Sequence, residues 1–153
     1  VAAAAMLTGI SVASADDPPQ SPSNPPALVE DYSYPGADRI LAEKGIKLKK
    51  GDGRILLADC DSTASQIHVM TVGDPAQNRA DDYCFRTVGK TGWLTLELSR
   101  VFAVAASDHP IRADLTANGE TTSVLVPKGE LAPVGEGTVG GARSVLVELR
   151  VTG

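Results

Sequence analysis

From Ile46 to Val151 the chain repeats one pattern: short apolar runs of period two, each closed by turn residues. The clearest run is Trp93 to Leu98, where Leu94, Leu96 and Leu98 face one side and Trp93, Thr95 and Glu97 the other. Successive strand side chains point to opposite faces, so this spacing predicts a half-buried strand. Ile46 and Leu48 alternate with Lys47 and Lys49 ahead of a Lys50–Gly53 turn, and 54–59, 66–72, 83–88 and 101–106 continue the series. Ile111–Thr116 and Thr122–Val126 flank Asn118-Gly119, a dipeptide that tolerates the positive φ values of a tight hairpin. The last run, 145–151, is expected to point Val145, Val147, Leu149 and Val151 one way, with Leu146, Glu148 and Arg150 opposite. Eight or nine such strands predict a mainly β fold, a β-sandwich or small barrel. One short helix is predicted over 35–45, where proline opens the segment, good helix formers fill it and Gly45 follows.

Ahead of this body the chain changes character. Val1–Ala15 is small, apolar and uncharged and ends in Ala13-Ser14-Ala15, the small-x-small pattern that signal peptidase cleaves, so it is expected to be a signal-peptide remnant. Residues 16–34 follow as an extended arm, and with Pro35 they hold six of the ten prolines, in the spacing of polyproline-like chain. Residues 35–153 then form the β-domain with its helix. Export makes the two cysteines readable: Cys60 and Cys84 are expected to bridge, removing about 3 kcal/mol of unfolded-state freedom on the chain-entropy model.

The charge balance of 14 basic against 19 acidic residues, net −5, argues against a nucleic-acid partner. After residue 15 no stretch of about 20 apolar residues spans a bilayer. Two histidines and two cysteines leave little for catalysis. Ser107, Asp108 and His109 are too close in sequence to form a relay, and no Gly-x-Ser-x-Gly elbow exists. With the thiols bridged, only the two histidines and carboxylates remain as zinc ligands, a weak set where three or four must converge. Asp59, Asp61, Asp81 and Asp82 flank the cysteines and are expected to form a solvated acidic surface. No catalytic, cofactor or metal residue is therefore expected.

Binding is the remaining class. A plain linker has no use for Leu28, Val29, Tyr32 and Tyr34, which either lie across the domain's own core or insert into a partner as an extended strap. Charge is uneven too: 38–54 carries six basic and three acidic residues, whereas 16–31 carries four acidic and no basic ones. Trp93, on the face opposite the three leucines, is either core or part of an exposed platform.

The runs Asp31–Leu41, Lys50–Leu56, Tyr83–Arg86 and Gly92–Glu97 resemble small secreted β-domains of Streptomyces and related actinobacteria, and in particular the adaptor subunit of the streptomycete umbrella toxin particles. The likeness covers about residues 28–151. It implies a non-catalytic protein–protein adaptor in a secreted hetero-oligomeric complex. That adaptor would link a large toxin stalk protein to a cell-surface-binding lectin subunit, with Leu28, Val29, Tyr32 and Tyr34 as strap contacts. A carbohydrate or cell-wall binding module and a secreted protease inhibitor presenting the loop 74–82 are the alternatives. Nucleic acid, membrane insertion and small molecules are not expected partners.

Overall fold

The computed structural model describes residues 31–153, so the expected signal remnant, most of the arm, and Leu28 and Val29 lie outside the described residues. Helix α1 (Ala37–Lys44) leads into ten strands: β1 (Lys47–Gly51), β2 (Ile55–Ala58), β3 (Ile67–Thr71), β4 (Asp82–Thr87), β5 (Gly92–Ser99), β6 (Val101–Ala105), β7 (Ile111–Ala117), β8 (Glu120–Val126), β9 (Leu131–Pro133) and β10 (Val145–Val151). They form two five-stranded sheets, ordered β1-β5-β10-β7-β8 and β2-β4-β3-β6-β9, and every pairing is antiparallel. This is the sandwich alternative of the sequence reading.

Alternation explains most of the core. Leu94, Leu96 and Leu98 of β5 are buried, as are Ile67 and Val69 of β3, and they meet Phe85, Val104 and Leu146 between the sheets. Strand β10 departs from the expected alternation. Its register shifts between Leu146 and Glu148 against both neighbours, and Leu146, Leu149 and Val151 are the buried residues, with Val145 and Val147 only half-buried. A bulge inserts one residue and reverses the parity of the strand, so the face predicted from Val145 and Val147 is corrected to Leu146. Strand β9, of only three residues, was too short to produce a period.

The start of the described chain belongs to this sandwich. Tyr34 N donates to Lys49 O at 2.9 Å and Gly51 N to Tyr32 O at 2.8 Å, so residues 32–34 cover the free edge of β1. Strand β8 forms the opposite edge of the same sheet.

Helix α1 buries no residue completely; Ile40 packs against the core, and hydrogen bonds tie the C-terminal end. Asn78 Nδ2 donates to Ala42 O at 3.0 Å, and the Tyr83 hydroxyl donates to Lys44 O while accepting from Ala80 N. Gly45 ends the helix at φ 66°, and a Cβ there would strike the backbone of Gln77 and Asn78. Gly45→Ala is expected to cost at least about 1–2 kcal/mol from the left-handed backbone alone, and more from the clash. Urea denaturation beside Gly119→Ala, where φ is 80° and space is open, separates the two contributions. Equal losses in both variants would remove the packing argument.

A disulfide joins Cys60, just after β2, to Cys84 of β4, with the Cα atoms 5.1 Å apart. Among the described residues no helix is long and apolar enough to cross a membrane.

Candidate functional site

The outer face of the first sheet carries an organised row of side chains outside the core. Trp93 of β5 pairs with Arg150 of β10, Arg150 with Arg112 of β7, and Arg112 with Leu125 of β8. Directly paired residues share a face, so these four side chains form one row across the sheet, about 15 Å from end to end at the usual strand spacing. The inward neighbours Leu94, Leu149, Ile111 and Val126 are buried.

Tyr32 extends the row beyond Trp93. Its ring centroid lies 5.9 Å from that of Trp93 with the planes tilted by 54°. This is an aromatic pairing geometry favoured over face-to-face stacking. Tyr32 adopts φ 50°, a region that non-glycine residues seldom occupy. Its carbonyl is fixed by Gly51 N, which holds the kinked chain where it joins the sheet. The ring stays 49% exposed, and at the far end Leu125 is 70% exposed.

Charges in the middle of the row are neutralised locally. Arg112 makes a two-point contact with Asp114 at 3.1 Å on both nitrogens, and its Nη2 lies 3.6 Å from Glu148 Oε1. Arg150 donates to the same Glu148 oxygen at 2.9 and 2.6 Å, and Ser123 Oγ donates to Asp114. Two guanidinium groups and two carboxylates therefore sit as a closed network with no net charge. Planar guanidinium groups held in this way, in one row with Trp93, make a preordered surface with less side-chain entropy to lose on contact.

The residues expected to form a strap do not share one environment. Tyr34 belongs to its own domain: its hydroxyl accepts from Leu57 N at 2.8 Å and its ring packs against the core. Tyr32 lies on the surface row, and Leu28 and Val29 fall outside the described residues. Arg112, Arg150 and Leu125 were missed by sequence reasoning. Alternation turned Arg150 outward, but nothing local said that β10 runs beside β5 and β7.

Three of the six basic residues in 38–54 are ion-paired. Lys47 and Lys49 both meet Glu97, whose carboxyl is held below its ordinary range chiefly by the hydrogen bond from Lys49, and Lys44 meets Asp59. Beyond the network, Arg100 donates to Glu136 and lowers its carboxyl below the usual range. The four aspartates around the cysteines do not converge. Asp59 pairs with Lys44, Asp61 caps the turn at Thr63, Asp81 accepts from Gly73 N and Asp82 faces His68. His109 donates through Nδ1 to Gly153 O at 2.9 Å. The loop 74–82 is tied inward, with Arg79 buried and its Nε donating to Val72 O.

No family model matches the chain, and no curated protein matches it. Fold and surface therefore define the class: a disulfide-bridged β-sandwich with an aromatic–arginine row on one sheet face.

Proposed function

We propose that this chain is a secreted, non-catalytic adaptor that joins two protein partners. The arm, with Leu28 and Val29, would take one partner, and the row from Tyr32 to Leu125 the other. The observation that carries the reading is Tyr32 laid against Trp93, because it puts the first described residues beside a row of tryptophan, arginine and exposed leucine. Tyrosine, tryptophan and arginine are the residues that most often dominate protein–protein binding energy. A bridge between the only two cysteines agrees with an oxidising, extracellular setting. The resemblance to umbrella-particle adaptors supplies the partner classes, a toxin stalk protein and a surface-binding lectin subunit.

The test is capture from culture supernatant under mild conditions. Deleting residues 16–30 should leave thermal unfolding unchanged and remove one partner. The deletion must stop there, because residues 32–34 cover β1 and Tyr34 bonds to Leu57. Trp93→Ala should weaken capture of the other partner by about 30-fold or more, the loss typical of a dominant interface residue. Retention of both partners by both variants would reject the adaptor reading.

A carbohydrate-binding module is the second reading, favoured by the half-buried Trp93 beside exposed Tyr32. Titration with cell-wall oligosaccharides separates the two. A saturable shift in Trp93 fluorescence supports the module, and the adaptor reading expects none.

A further inference from the structure

On the outer face of the second sheet, four potential metal donors from three elements meet at the disulfide. Asp82 and Cys84 lie two apart on β4 and so share a face, and His68 of β3 is the direct cross-strand partner of Cys84. Cys60 arrives from the loop after β2. His68 Nδ1 lies 3.3 Å from Cys84 Sγ and 3.1 Å from Asp82 Oδ2. One ligand atom from each of the four residues falls within 4.8 Å of all the others.

We propose that the Cys60–Cys84 bridge is the oxidised, closed form of a divalent metal site, and that its reduction creates a Cys60–His68–Asp82–Cys84 centre for zinc.

Two thiolates, an imidazole and a carboxylate are a donor set suited to this borderline-soft, tetrahedral ion. Bonds of about 2.0–2.3 Å set tetrahedral donors about 3.3–3.8 Å apart, so the cluster needs only small movements once the sulfurs separate. Cys60 is exposed and sits on a loop, which gives one sulfur freedom to move, whereas Cys84 is buried in a strand. A second observation points the same way. Among the described residues, Asp82 Oδ1 is buried with no hydrogen-bond partner, a cost to the protein that a cation beside the carboxylate would offset. A hollow of about 240 Å³ reaches Cys60, Asp82 and Cys84 from solvent between the end of α1 and β2, and provides an entry path.

The chemistry balances with a dithiol reductant. Its thiolate attacks the exposed Cys60 sulfur and the S–S bond breaks with Cys84 as leaving group. The second thiol of the reductant then displaces Cys60 from the mixed disulfide. Two electrons and two protons pass to the protein, giving two thiols, and the reductant leaves as its own disulfide. Zinc uptake then displaces both thiol protons to solvent.

The experiment uses the full chain reduced with a water-soluble phosphine, which takes oxygen from water to become a phosphine oxide and leaves no competing thiol. Cobalt(II) is the probe, because thiolate coordination gives an intense near-ultraviolet band, and zinc should bleach it. The reduced chain should bind one equivalent and the oxidised chain should show no band. His68→Ala and Asp82→Asn should each weaken binding by at least about tenfold. Zinc should also raise the melting temperature of the reduced chain and leave that of the oxidised chain unchanged. A reduced chain that develops no band overturns the proposal, as does undiminished affinity in both variants. If reduction alone unfolds the domain, failure of zinc to restore its β circular-dichroism spectrum overturns it equally.

Discussion

Phe85→Ala is expected to lower the unfolding free energy by about 3–5 kcal/mol, the usual cost of removing a buried phenyl ring. Phe85 has no exposed surface, and on β4 it pairs with Leu57 of β2 on one side and Ile67 of β3 on the other. Ile67 is itself buried in the same cluster, so strands on both sides hold the surroundings and collapse into the vacated space is limited. The neighbouring Arg86 points to the opposite face and is exposed, so Arg86→Ala should change stability by no more than about 0.5 kcal/mol. Urea denaturation of the two variants measures the contrast. Comparable losses at 85 and 86 would mean that the strand does not present alternate faces to core and solvent.

Replacing both cysteines by alanine should lower stability by about 3 kcal/mol and the melting temperature by about 10 °C. The bridge closes a loop of sequence separation 24 that contains all of β3. Its absence enlarges the unfolded ensemble, and trimming the buried Cys84 sulfur adds a smaller packing loss. Calorimetry without reductant, beside the bridged protein, gives the shift directly. A melting point within a degree or two of the bridged protein would show that the sandwich needs no cross-link. The same variant is the thiol-free reference for cobalt binding.

Much of this fold is legible in the chain because its signals are local. Leu94, Leu96 and Leu98 announce a strand with one buried face, and β5 obeys them. Asn118-Gly119 announces a hairpin, and both residues take positive φ between β7 and β8. Gly36 and Gly45 bracket the helix on either side of residues that favour it. Strand β10 shows where such reading ends. A bulge opposite two neighbours reversed its parity after Leu146, and no composition rule marks that position.

The candidate sites lie beyond that boundary. Trp93, Arg112, Leu125 and Arg150 become one row only because β10 inserts between β5 and β7. His68 meets Cys84 only because β3 and β4 pair in one particular register. By itself the sequence determined which residues alternate, where the chain turns, and that its two cysteines are suited to bridging. The tertiary structure decided which strands are neighbours. Backbone hydrogen bonds between strands are nearly the same for any pair of residues, so adjacency and register follow from how all the apolar faces fill a common core.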